Sequence, residues 1–362
     1  MCTTFVLPTS AGTFAGRNLD LDMHFGERVV LTPRNVPIAF RNGATVSTHD
    51  ALLGMATVAQ DYPLYAEAVN ESGLYMAGLY FPGSAHYVAR ETLQSADHAQ
   101  TSSNTSNNGS GSDSIGDGDG SVSGLVGVAS FELITYTLTQ AHNVEQAREL
   151  LNHCAITDEV FAPQMPAAPL HFFCADRTGA AIVIEQTADR IAIYDNPAHV
   201  LTNNPPFPFQ LEHLRYFMGL NTVAPENTFT AKASDALTLA PNGEGFGQLG
   251  LPGDSTPASR FIRAAFQVQH SSAVSTRQEA VTQVLHLLDS VLMVKGSTIN
   301  AHGREEYTMY SAALDLEHFA YYVTTYENRR IMAVEPQSAA LDGNQLVQFA
   351  LQSEPDFDKL GN

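Results

Sequence analysis

The chain has 362 residues, 44% of them hydrophobic, which suffices for one large domain or two ordinary ones with a substantial core. Its 18 basic against 38 acidic residues leave a formal charge of -20, which repels phosphate backbones and anionic membrane faces and argues against nucleic acid or membrane as partners. Residues 1–8 carry no basic start, no stretch reaches membrane-spanning length, and the three cysteines form no CxxC pair, so a protein of the reducing cytoplasm is expected.

In chain order, residues 3–7 and 13–18 read as strands joined by a turn at 8–12, a hairpin. Strands follow at 29–32 and 52–58, and a second hairpin joins 64–69 to 74–80 through Asn70-Glu71-Ser72-Gly73. Residues 95–124 hold almost nothing apolar and cannot offset their own ordering entropy, so a flexible surface insertion is expected there. Its Asp117-Gly118-Asp119-Gly120 run suggests a calcium loop, but the sixth-position glycine is absent and Val128 stands where the closing glutamate belongs.

Beyond the insertion, helices are expected at 131–139 and 144–152, the second started by Asn143 with Gln146 three residues on. Strands return at 170–175, 181–186 and 190–194, then helices at 209–218, 259–269 and 277–294, then strands at 307–313, 319–325 and 330–335. Strands in blocks separated by helices imply a single α+β domain of antiparallel sheets covered by helices. The 13 histidines show no HExxH or similar spacing, so no metal is expected.

A cysteine at position 2 is by itself more often a small core hydrophobe than a nucleophile. The first hairpin, however, folds the far end of its second strand, Gly16-Arg17-Asn18-Leu19-Asp20, back beside Cys2. A guanidinium at Arg17 would favour thiolate over thiol, and Asp20 could accept a hydrogen bond and hold the Cys2 groups in place. Outside that setting, Arg17 and Asp20 would read as a surface ion pair. Removal of Met1 would add a base, since a free α-amino group titrates at about 7.7 to 8.0.

Several stretches together resemble the choloylglycine hydrolase family, which contains bile salt hydrolases and penicillin V acylases. They are Met1-Cys2-Thr3, the 16–20 run, Thr32-Pro33-Arg34, Val69-Asn70-Glu71-Ser72-Gly73-Leu74, Phe81-Pro82-Gly83, Leu201-Thr202-Asn203-Asn204-Pro205 and residues 251–261 from Leu251 to Phe261. The resemblance covers about 1–94 and 125–345. It implies an N-terminal-nucleophile hydrolase with a four-layer αββα sandwich, acting on a small-molecule linear amide, with no cofactor and often as a homo-oligomer, a tetramer or dimer.

Carried over by position, the resemblance makes Cys2 nucleophile and base, Arg17 and Asp20 its activating neighbours, and Asn203 the side-chain donor of the oxyanion hole. A backbone N–H near Tyr80 would be the other donor, and Arg260 would stabilise developing charge. Read alone, Asn203 is a turn residue before prolines and Arg260 a surface charge at a helix start. Tyr80 stands where penicillin V acylases usually have tyrosine and bile salt hydrolases asparagine. The expected activity is therefore of penicillin V acylase type, with bile salt hydrolysis or N-acyl homoserine lactone cleavage as alternatives. A ligand-binding protein with an inert Cys2 is the non-enzymatic reading, and Gly253-Asp254-Ser255 a weaker serine-esterase reading that lacks a GxSxG elbow.

Overall fold

The computed structural model describes residues 1–93, 124–229 and 239–361. The expected insertion at 95–124, with its calcium-like run, lies outside the described residues except for Gly124. Two large antiparallel sheets form the centre of the molecule. One runs in spatial order Val200–Leu201, β1 (Cys2–Thr9), β2 (Gly12–Leu21), Tyr307–Asp315, Ala320–Thr325 and Met332–Val334. The other has eight strands, with Leu170–Ala175, Tyr75–Tyr80, Tyr62–Asn70 and Leu52–Ala59 adjacent at its middle.

Period-two alternation assigns the strand faces. Along Tyr75–Tyr80, Tyr75, Ala77 and Leu79 join the core between the sheets, while Met76 joins the core under the outer helices. Along Leu170–Ala175, Phe173 and Ala175 face inward to the first core and Phe172 and Cys174 outward to the second. Helices Pro257–Gln269 and Arg277–Asp289 cover the first sheet through Phe261, Ile262, Val284 and Leu288. Helices Leu133–Leu138 and Val144–Asn152 cover the second. The result is the four-layer αββα sandwich.

Local chemistry sets the helix starts. Asn143 accepts from the Gln146 N–H, and Thr276 with Glu279 forms a capping box. The helix expected over 277–294 stops at Asp289, because the Met293 N–H bonds Thr308 Oγ1 and the Met293 carbonyl accepts from the Thr308 N–H, tying that segment to the neighbouring strand. Val126–Ala129 and Cys154–Thr157 form an unexpected parallel ladder; at four residues each they are too short to show a period. Among the described residues no helix is long and apolar enough to cross a membrane.

Candidate active site

The first hairpin has the register that its turn suggests: Cys2 pairs with Leu19 and Thr4 with Arg17. Directly opposite residues share a face, so Cys2, Arg17 and Leu19 look toward one side of the sheet. Arg17 Nη2 donates to Cys2 Sγ across 3.2 Å and to the Gly78 carbonyl across 2.7 Å. Arg17 is fully buried and so no surface ion pair; its Nε lies 3.6 Å from Glu67 Oε2, and Glu67 accepts from the hydroxyls of Tyr310 (2.7 Å) and Tyr321 (2.6 Å). Burial works against the Arg17 charge, yet the Cys2 sulfur and the Glu67 carboxylate together hold the guanidinium above its ordinary value.

Asp20 lands differently from the expectation. One residue past Leu19, its side chain points to the opposite face, away from the thiol. Asp20 Oδ1 accepts from Thr308 Oγ1 at 2.6 Å, and Oδ2 lies 3.9 Å from Arg260 Nη1 with no hydrogen-bond partner among the described residues. Its main chain does the holding: the Asp20 N–H donates to the Met1 carbonyl at 2.8 Å, and the Asp20 carbonyl accepts from the Met1 ammonium at 2.6 Å. The same ammonium pairs with Glu306. With Met1 attached, the Cys2 nitrogen is a peptide N–H, which donates to Asn203 Oδ1 at 2.7 Å.

Arg260 also departs from its expected place. It is fully buried behind the Cys2 main chain, donating to Cys2 O (2.6 Å), Thr3 Oγ1 (2.7 Å), Asn203 Oδ1 (2.8 Å) and Ser255 O (3.1 Å). Four of its five N–H donors meet protein acceptors, so it braces the strand end and Asn203 from behind. The Gly253-Asp254-Ser255 block is the turn that leads into this helix. Asp254 accepts from Thr256 and Ser259, and the Thr256 hydrogen bond foremost draws its carboxyl down to about 2.

Strand divergence opens the remaining part of the site. Tyr62–Asn70 pairs with Tyr75–Tyr80 only as far as Glu67 opposite Ala77. Beyond that point the carbonyls of Gly78 and Tyr80 turn to side chains, Gly78 O to Arg17 and Tyr80 O to Asn203 Nδ2 at 2.7 Å. Within one strand residue the N–H and C=O point the same way, so the Tyr80 N–H faces this edge too. Asn203 Nδ2 carries two hydrogens, and the Tyr80 carbonyl uses one.

Two hollows meet here. An apolar pocket of about 410 Å³ reaches Cys2 and Arg17 and is walled by Leu19, Leu21, Phe25, Leu64, Phe131 and Met165. A second hollow of about 560 Å³ is lined by Met1, Asn203, Asn204, His302, Arg304 and Glu306 together with the apolar Pro82, Pro257 and Ala301. Leu21 and Tyr80 line both. A separate apolar groove of about 380 Å³ by Leu214, Met218 and Phe266 contains none of the site residues. Among the described residues no group of three or more His, Cys, Asp or Glu is placed to hold a metal ion.

Sequence reasoning missed Glu67, Tyr310, Tyr321 and Thr308, which sit behind Arg17 and Asp20. Glu67 had a signal, a carboxylate inside a largely apolar strand; the others are ordinary strand residues brought in from 240 to 290 positions away.

The sequence matches the linear amide C-N hydrolases, choloylglycine hydrolase family, over residues 2–101 and 117–349. A bile salt hydrolase/transferase of Lactiplantibacillus plantarum is 34% identical over 357 residues, 99% of each chain. The crystal structure of a mutant conjugated bile acid hydrolase from Clostridium perfringens superposes with a TM-score of 0.82 at 30% identity, covering both chains fully. A penicillin V acylase of Agrobacterium tumefaciens shares the fold, with a TM-score of 0.68 at 18% identity over 96% of this chain and 90% of that one.

Proposed function

The chain belongs to the choloylglycine hydrolase family and is a hydrolase of carbon–nitrogen bonds in linear amides; from that premise we propose that it cleaves conjugated bile salts with Cys2 as the nucleophile. The observation that carries the reading is an apolar pocket that reaches Cys2 and joins, at Leu21 and Tyr80, a second hollow that carries the side chains of Asn204, His302 and Arg304. A steroid acyl half suits the first and a small ionic amine half the second. Relatives matched along their full length carry bile salt names, whereas the penicillin V acylase likeness bears on fold alone. These comparisons favour bile salts over the penicillin V activity expected from Tyr80.

In this mechanism Met1 is removed and the Cys2 nitrogen becomes an amine, still held by Asn203 Oδ1. That amine takes the thiol proton, Arg17 stabilises the sulfur anion, and sulfur adds to the amide carbonyl. Asn203 Nδ2 and the Tyr80 N–H receive the oxyanion. The C–N bond breaks as the proton passes to the departing amine, leaving a thioester. Water, deprotonated by the same amine, adds to the thioester and releases the acid and the free thiol.

One observation favours a second reading: the half-exposed Tyr80 ring at the pocket junction suits a flat phenoxyacetyl group. Processed enzyme assayed side by side on glycocholate, taurocholate, penicillin V and an N-acyl homoserine lactone decides between them. The bile salts are expected to give the highest kcat/KM, and faster penicillin V hydrolysis would overturn the proposal.

A further inference from the structure

His171 lies in the interior strand Leu170–Ala175, fully buried, and the mechanism above leaves it without a role. Its ring makes three contacts. Nε2 donates to the Thr202 carbonyl at 2.9 Å, Nδ1 faces Glu185 Oε1 at 2.9 Å, and the ring stacks on Phe81 with centroids 4.2 Å apart and planes 6° from parallel. Thr202 immediately precedes Asn203, and Phe81 immediately follows Tyr80. Each segment that supplies an oxyanion donor is therefore held one residue away by the same imidazole.

We propose that the His171–Glu185 pair is a positioning element that sets the distance between Asn203 and the Tyr80 N–H, and so fixes the shape of the oxyanion hole. The inference rests on the hydrolase reading of the site. A histidine suits the task because a flat ring can stack on one segment while its edge donates to another, and an aliphatic side chain of similar size does neither. Because Thr202 O can only accept, Nε2 must carry a proton.

Glu185 fixes the ring's other edge. Its Oε1 also accepts from the Phe207 N–H at 2.9 Å, which ties the carboxylate to the helix that follows Asn203. Glu185 and His171 are both essentially inaccessible to solvent, so the ring cannot turn to water without leaving these partners unsatisfied. Phe81 is anchored in turn, its N–H donating to the Pro169 carbonyl at 2.8 Å, two residues before His171. The two donor-bearing segments are thus referenced to one strand.

The test separates oxyanion geometry from nucleophile chemistry. Thiol alkylation by iodoacetamide is a displacement that forms no oxyanion, so it depends on Cys2 and Arg17 and not on the hole. In processed full-length protein, His171→Leu is expected to lower kcat on glycocholate by about 10- to 100-fold, the scale of a misplacement near 1 Å. KM should stay close to wild type, and the Cys2 alkylation rate, followed by intact mass, should not change. His171→Gln, which retains an N–H donor, should recover part of the loss.

Because His171→Leu could fail to fold, Phe81→Leu, which removes the stack and keeps the backbone, serves as the second variant and should show the same split. Wild-type kcat in folded His171→Gln and Phe81→Leu would overturn the proposal, as would a loss of alkylation in step with kcat. A wild type that alkylates at Cys2 yet turns over no amide would sink the hydrolase reading and this inference with it; an active wild type with equally active variants would sink this inference alone.

Discussion

Arg17 Nη2 donates to Cys2 Sγ at 3.2 Å while Arg17 Nε faces Glu67 Oε2 at 3.6 Å, so one buried guanidinium bridges a thiol and a carboxylate. Removing one partner of such a pair strands the other: Arg17→Met is expected to cost about 3 to 5 kcal/mol of stability. The double variant Arg17→Met/Glu67→Gln should restore much of that and still alkylate slowly at neutral pH. Denaturant melts and iodoacetamide kinetics read the two effects separately. Wild-type alkylation in Arg17→Met would show that the guanidinium does not activate the thiol.

The other two cysteines have no such neighbour. Cys154 and Cys174 lie in the outer core, where burial pushes the Cys154 thiol up to about 11 and the Cys174 thiol further still. Cys2→Ala should abolish turnover, whereas Cys154→Ala and Cys174→Ala should keep it. Turnover by Cys2→Ala comparable to wild type would place the chemistry elsewhere.

Sequence alone went furthest where information is local. The hairpin register, the Asn143 cap and most strands of both sheets follow from turn residues and period-two patterns, and the register alone carries Arg17 to Cys2. The same alternation, one residue past Leu19, sends the Asp20 side chain to the opposite face. Arg260 looked like a surface charge because nothing near it in sequence shows that its helix docks behind Cys2. Thr308 meets Asp20 through long-range strand pairing, Glu67 meets Arg17, Tyr310 and Tyr321 across the two packed sheets, and His171 reaches the Thr202 carbonyl in a distant segment, none of which a local pattern encodes.

Asp20→Asn tests the role of a carboxylate that does not touch the thiol. The amide keeps an acceptor for Thr308 Oγ1 but turns a donor toward the Arg260 guanidinium, 3.9 Å from Oδ2. A fall in kcat of about tenfold or more is expected with KM little changed, the pattern of a lost transition-state interaction. Intact mass should show whether Met1 is still removed. Full activity would mean that the Asp20 main chain, and not its charge, serves the site.

Glu132 gives a pH dependence whose sign can be worked out. Its carboxylate is buried and accepts from the Arg41 N–H at 2.9 and 3.2 Å, and burial pushes it up from 4.5 to about 7. Between those values the folded protein holds a proton that the unfolded chain has released, so this contribution is present below 4.5 and lost as pH rises through 7. Relative to wild type, Glu132→Gln should gain stability from pH 5 to pH 8 by up to about 3 kcal/mol. Urea melts at the two pH values test it, and a pH-independent difference would refute the assignment.

Substrate choice is expected to turn on the apolar pocket more than on Tyr80. The tyrosine is 46% exposed, and its link to Asn203 runs through its backbone carbonyl, so Tyr80→Asn should leave that hydrogen bond in place. An aromatic contact contributes roughly 0.5 to 1.5 kcal/mol beyond area burial, so the swap should shift the ratio of penicillin V to glycocholate hydrolysis by only about two- to twelvefold. Leu21 and Phe25 line the pocket, while Met23 is half exposed and is not part of its wall. Ala66 and Ala168 are among the small lining residues at which volume can be added. A bulky side chain there removes room that a fused-ring acyl group needs and a shorter acyl group does not, so Ala168→Phe should raise KM for glycocholate by about tenfold while sparing penicillin V, on the scale of a lost apolar contact of 1 to 3 kcal/mol. Equal losses on both substrates would show that the steroid does not occupy this pocket, and the bile salt reading would then have to rest on another surface.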